Sequence, residues 1–256
     1  MSRWASGLLG ALGVLVVWEV LAVTVFGTTK VVPAPNEVVS QLLKDGWSFY
    51  GPHIRGTGWE ALRGFLWGNL IAIALAMVVI LVPPLERVIT QVAVASYCLP
   101  IIAVGPILTI VLEGDTPMVA MAALLVVFTT LIGVLTGLRA ADRTSLELIR
   151  AYGGGRWQQL IRVQLMSALP STFAALMIAA PSAVLGAILG EFLGRVDQGL
   201  GQAMVVAQQQ LETSRTWGVA LVAGALAGLG FGAVALLARL TAPWAPRSTS
   251  AGGSSS

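Results

Sequence analysis

The sequence predicts an all-α, polytopic membrane protein of six transmembrane helices, on three observations. Of 256 residues, 56% are apolar and only 11% charged, with mean hydropathy +0.84, whereas soluble domains carry about 25% charged residues. Six apolar runs are each long enough to cross roughly 30 Å of hydrocarbon at about 1.5 Å per residue. Cys98 is the single cysteine, so disulfides do not substitute for a core. Lipid is therefore the solvent that this surface requires. Fifteen Lys+Arg against twelve Asp+Glu leave a net charge of +3, scattered rather than gathered on one face, which excludes nucleic acid as a partner.

The runs are residues 7–27, 64–82, 88–112, 117–138, 163–190 and 216–238. Only the first contains a charge, Glu19, and none alternates as barrel strands do. Arg3 ahead of the first run also fits a secretory signal, but its length and the five spans behind it favour a retained helix. After it, "VVPAPNEVVSQLLKDG" predicts a helix stop at two prolines. Asn36 is then expected to cap a short amphipathic helix through Val38, Val39, Leu42 and Leu43 at the outer surface. Pro100 and Pro106 interrupt span three and free backbone carbonyls at membrane depth, either to line a pathway or to kink a packing helix. Glycines four apart, Gly64/Gly68, Gly186/Gly190, Gly224/Gly228 and Gly228/Gly232, predict close helix approach. The small polar residues 248–256 predict a disordered tail.

Orientation follows the arginines. Arg139, Arg143, Arg150, Arg156 and Arg162 crowd the segment between spans four and five, while the turn between spans three and four offers only Glu113 and Asp115. The expected topology is N-in and C-in, in agreement with Arg3, Arg87, Arg239 and Arg247; Lys30, Lys44, Arg55 and Arg63 in the longer outer loop 28–63 pull the other way.

Much chemistry is excluded. The two lysines, Lys30 and Lys44, stand in no phosphate-cradling motif, and one histidine, His53, leaves zinc sites and catalytic triads without members. The "GLGFG" at 228–232 and "GLG" at 199–201 follow no strand and are read as helix-packing glycines. Polar groups within the spans are few: Glu19, Asn69, Tyr97, Thr109, Thr129 and Thr130. Glu19 alone could carry an ion, which weakens the reading as a gradient-driven carrier. A membrane scaffold is the other alternative.

Residues 139–162, "RAADRTSLELIRAYGGGRWQQLIR", read as helix, glycine turn, helix. Asp142 or Thr144 is placed to cap the first piece, Leu146, Ile149 and Tyr152 share a face, Gly153 to Gly155 allow a sharp turn, and Trp157, Leu160 and Ile161 restart helical spacing. Such an elbow suits insertion into a partner's groove or, alternatively, a position along the inner leaflet.

At this segment the chain resembles the permease subunits of type I ATP-binding-cassette importers, in the branch that handles nitrate, sulfonates, taurine, bicarbonate and thiamine precursors. Their cytoplasmic E-A-A-x-x-x-G loop is matched at Glu147 and Gly153, with Leu148 and Ile149 in place of the alanines. Glu147, Arg150, Gly153, Arg156 and Trp157 follow the branch's E-x-A-R-x-L-G-A-S-R-W run, which ends at Leu169-Pro170 with Met166 replacing an earlier proline. The resemblance extends from "VVWEVLA" in span one through "VPAPNEVV", Gly64-Phe65 and the Pro100, Ala103, Pro106 spacing to "GEFLGRVDQGLG" at 190–201. Glu60 stands where the family tends to have arginine, and Thr129 and Gly133 where it tends to have proline and asparagine.

The resemblance implies a permease domain over residues 1–247 in a bacterial inner membrane. It pairs with a second permease, identical or distinct, with two ATPase subunits that bind the ATP and magnesium, and with an extracytoplasmic substrate-binding protein. No cofactor and no enzymatic activity are implied for this chain. Glu147 would pair with a basic group of the ATPase. Leu148, Ala151 and Tyr152 would fill its groove, with Gly153 holding the bend and Arg150 and Arg156 beside it. Tyr97, Pro100 and Thr109 are the expected lining of the path.

Overall fold

The computed structural model describes residues 3–27, 31–194 and 196–241. All regular structure among them is helical: α1 (Arg3–Thr24), α2 (Pro35–Leu81), α3 (Glu86–Cys98), α4 (Ile101–Val111), α5 (Thr116–Arg139), α6 (Arg143–Ala151), α7 (Arg156–Gln159), α8 (Leu165–Leu193), α9 (Leu200–Gln209) and α10 (Thr213–Thr241). A 3-10 turn, Pro83–Leu85, precedes α3, and a π-helical segment, Leu160–Gln164, joins α7 to α8 without a break. The expected tail 248–256 and Arg247 lie outside the described residues.

Four helices are long and apolar enough to cross a membrane: α2, α5, the continuous run Arg156–Leu193, and α10. Residues Pro83–Cys98 and Ile101–Val111 make a fifth when taken together, although their axes bend by 96°. The interruption expected in span 88–112 is thus a break between two helices. The cause is local. Pro100 forces the preceding residue away from helix, and Leu99 is extended at φ −67°, ψ 126°. Pro106, by contrast, sits inside α4 and does not end it. In α1 the described apolar stretch, Leu12–Thr24, is shorter than the four spans, so length and composition among the described residues give four or five crossings rather than six.

In the outer loop the expected short helix is present over residues 35–45, and a non-helical Gly46 (φ 60°, ψ −171°) separates it by a kink from the longer helix over residues 47–81, the two together making up α2. Ala34, not Asn36, is its N-cap, because Pro35 at the first helical position already has the required φ and has no N–H to satisfy. The kink is fixed from outside the helix. Arg215 at the start of α10 grips Asp45 through both Nε (3.0 Å) and Nη2 (2.8 Å) and lies 5.2 Å over the Phe49 ring.

Helices α2, α5 and α8 form the centre of the bundle. Its core is built from small side chains, Ala72, Ala76, Ala179 and Ala187 among them, around fully buried Met118, Met121, Leu131 and Leu138. In lipid, close packing replaces the hydrophobic drive, and glycines set the spacing. A methyl group on Gly68 would stand 2.8 Å from the Ala123 carbonyl oxygen, and one on Gly190 2.8 Å from Met118 Cα. The α2 and α8 glycine pairs therefore act as expected. Those of α10 do not: Gly224, Gly228 and Gly232 have no described atom within 4 Å of an added Cβ. A further pair with the same spacing, Gly133/Gly137 in α5, packs against Ala168, Ser171 and Ala175.

One polar link lies inside this core. Thr130 Oγ1 donates to Asn69 Oδ1 at 2.6 Å, and Asn69 Nδ2 donates to the Phe65 carbonyl at 2.7 Å. At one end of the bundle Arg63 pairs with Asp115. At the other, Arg139 pairs with Glu86 at 2.5 Å and Gln164 donates to the Leu138 carbonyl at 3.2 Å. Helix α1 is attached through Trp18, whose Nε1 donates to the Pro33 carbonyl and whose ring packs 5.5 Å from Trp217.

Candidate functional site

The segment 139–162 forms the helix, turn and helix that its residues predict. Asp142 is the cap: its Oδ2 accepts from the Ser145 N–H at 2.9 Å and from Ser145 Oγ at 2.8 Å. These bonds hold its carboxyl below the usual aspartate range. Gly153, at φ 77°, takes the left-handed conformation that ends α6. Around it Gly153 N–H donates to Arg150 O at 2.9 Å and Gly154 N–H to Ile149 O at 2.8 Å. The turn is tied to the spanning helices by Arg156, whose Nη1 donates to the Leu81 carbonyl at the end of α2 (3.3 Å).

What the elbow presents is apolar. Leu148 is 58% exposed, Trp157 58% and Tyr152 86%, while Leu146 and Ile149 are half-buried. Glu147, Arg150, Ala151 and Arg156 are exposed beside them. The structure thus brings the coupling candidates, Glu147, Leu148, Arg150, Ala151, Tyr152, Gly153 and Arg156, onto one projecting feature.

The three path candidates do not converge in this way. Tyr97 and Pro100 flank the break between α3 and α4, and the Tyr97 ring stacks on Phe128 of α5 at 4.4 Å. Thr109 lies about 13 Å further along α4 at the helical rise, in a cleft with Glu113, Met118 and Leu193. Its hydroxyl donates to the Pro106 carbonyl at 2.9 Å.

A further polar centre was not anticipated. Glu191, wholly buried at the end of α8, accepts from Thr57 Oγ1 and from the Gly201 N–H, both at 2.6 Å. The Leu200 N–H donates to Thr57 Oγ1 at 2.8 Å, and the Gly199 N–H to His53 Nδ1 at 3.0 Å. The signal was present in two places. His53, Thr57 and Glu60 recur at helical spacing on one face of α2, and the "GLG" read as packing glycines supplies the backbone N–H groups. The expected span boundary at residue 190 stopped one position short of the carboxylate.

A bundle of long apolar helices with a broken span and an exposed apolar elbow defines a polytopic membrane protein. Residues 68–244 match the family described as binding-protein-dependent transport system inner membrane component. The chain belongs to this family, the permease subunits of type I ATP-binding-cassette importers, and its role is that of a non-catalytic transporter subunit in a membrane. Among its relatives, the formylaminopyrimidine transport permease protein ThiX of Halalkalibacterium halodurans is 28% identical over 90% of this chain and 92% of its own length. The riboflavin transport system permease protein RibX of Chloroflexus aurantiacus is 34% identical over 62% of this chain and 60% of its own. The putative aliphatic sulfonates transport permease protein SsuC of Bacillus subtilis is 23% identical over 94% and 88%, consistent with the nitrate, sulfonate and taurine branch.

Proposed function

We propose that this chain forms half of a translocation path for a small solute that a substrate-binding protein delivers, paired with a second permease and driven by two ATPase subunits seated on the α6–α7 elbow. The exposure of Leu148, Tyr152 and Trp157 carries the reading. Large apolar side chains at a membrane-protein loop with three arginines among them are suited to a partner's groove. In this reading α1 and the bent α3–α4 pair each cross once, which gives six crossings with both termini cytoplasmic. The elbow then lies on the ATPase side, in keeping with its arginines.

The chemistry of each residue fits its role. Glu147 meets a cation of the ATPase, Leu148, Ala151 and Tyr152 enter the groove, and Gly153 keeps the two arms at a fixed angle. Arg156 holds the elbow to the end of α2, so displacement by closing ATPases passes into the bundle. Tyr97, Pro100 and Thr109 line the path at the break and along α4.

The test is retention of the candidate ATPase by the detergent-solubilised chain, together with stimulation of its hydrolysis by binding protein. Wild type is expected to retain and stimulate it, and Glu147→Ala and Gly153→Pro to lose retention or stimulation. Full stimulation in both variants, or no retention by wild type, would sink the coupling role.

A further inference from the structure

We infer that Glu60 and Glu191 share one proton and form a proton-binding latch that fastens α2 to α8 at the end of the bundle away from the elbow. The inference is independent of the coupling role proposed for the elbow. It starts from an anomaly of charge. Glu60 is 5% exposed and Glu191 wholly buried, and their carboxyls lie within hydrogen-bonding reach of each other. Glu191 has its donors, Thr57 and the Gly201 N–H. Glu60, by contrast, has a buried Oε2 that receives no hydrogen bond from the described residues.

Among the described residues no cation resolves the conflict. Arg63, one turn along α2, is engaged by Asp115 at the start of α5. Arg215 of α10 is held by Asp45 and Glu212. His53, further back on α2, already accepts the Gly199 N–H. Helix α9, packed against the pair, contains no titratable residue, and Glu113, in the turn before α5, is exposed. Among the described residues the charges nearest Glu60 are therefore the Arg63–Asp115 pair, which sums to zero, and Glu191 itself. Two ionised carboxylates cannot share a site so poor in water. A single proton removes both defects: the contact of two acceptors becomes an O–H···O⁻ hydrogen bond, among the stronger kinds, and the orphaned Glu60 oxygen gains a role. Glu191, with two other donors on it, is the ionised partner, and Glu60 is the acid that donates.

This junction joins α2 to the α8–α9 turn, so its proton governs how firmly the two are fastened. In the unfolded chain both glutamates are ionised at neutral pH, with ordinary values near 4.3. The native pair binds one proton more. Unfolding then releases a proton, and stability falls as pH rises above the unfolded value until Glu60 ionises in the native state.

The experiment uses the full chain in neutral-lipid nanodiscs. Infrared spectra at pH 7 are expected to show a protonated carboxyl stretch in wild type that Glu60→Gln removes. The midpoint of thermal unfolding is expected to drop between pH 6 and pH 9.5 in wild type and to stay level in Glu60→Gln, whose amide keeps a donor for Glu191. Glu60→Arg, which supplies a fixed cation, should exceed wild type at the alkaline end. The latch is overturned if Glu60→Gln leaves the carboxyl band in place, or if wild type and Glu60→Gln share one pH dependence.

Discussion

Asn69 and Thr130 occupy positions where lipid-embedded helices usually carry apolar groups, and each is satisfied by the other or by backbone. Such a bond costs little to keep and much to break by halves, because an unpaired buried donor or acceptor forfeits about 1–3 kcal/mol. Thr130→Val, which strands Asn69 Oδ1, is expected to lower unfolding stability by about that amount. The double variant Asn69→Leu with Thr130→Val should recover part of the loss, as a double-mutant cycle by thermal unfolding would read. Strict additivity of the two changes would show that the bond contributes nothing. Both residues were visible in the sequence as intramembrane polar groups, but their pairing was not, since it joins positions 61 residues apart and needs the α2–α5 register.

At the scale of elements, glycine spacing alone did not tell a packed face from an open one. Gly186 touches the Ala122 backbone whereas Gly228 touches nothing described, although both belong to i, i+4 pairs in apolar helices. Gly186→Leu is accordingly expected to destabilise the fold by at least about 1–3 kcal/mol, as overpacked cores do, while Gly228→Leu leaves the unfolding midpoint of the single chain unchanged. Equal effects at the two sites would contradict the packing described. The elbow was the most legible element, because its cap, glycines and apolar spacing are all local in sequence. In α2 the short helix up to Gly46 was legible, whereas the start of the second helix at residue 47 was not, since Gly51, Pro52, Gly56 and Gly58 look like breaks and none of them is non-helical. The cap also sets a pH limit. Asp142 sits below its ordinary value near 3.9, so its contribution is complete above that value and is lost as pH falls through the native one. Amide exchange across Arg143–Ala151 should therefore accelerate only in strong acid, and at neutral pH in Asp142→Ala; an unchanged neutral rate in that variant would remove the cap's role.

For the molecule as a whole, composition announced the membrane and the loops announced an orientation, but the number of crossings depends on α1 and the bent α3–α4 pair. The fracture at Pro100 was legible as a proline. Its 96° was not, because the angle is set by what α3 and α4 pack against. Six crossings with cytoplasmic termini have a direct readout. In a Cys98→Ser background, Thr144→Cys should react with a membrane-impermeant thiol reagent only in inside-out vesicles, and Ser48→Cys only in right-side-out ones. Labelling of both from the same side would reverse or break the topology.

The helical run Arg156–Leu193 joins the elbow to the far end of the bundle through 38 residues, about 57 Å of helix at the usual rise. Trp157 stands near one tip and Glu191 near the other. Along that length the π-helical Leu160–Gln164 and the internal Pro170 and Pro181 are the places where the run can bend. The proposed latch and the proposed coupling elbow thus sit at opposite ends of one helical run with three built-in points of give between them.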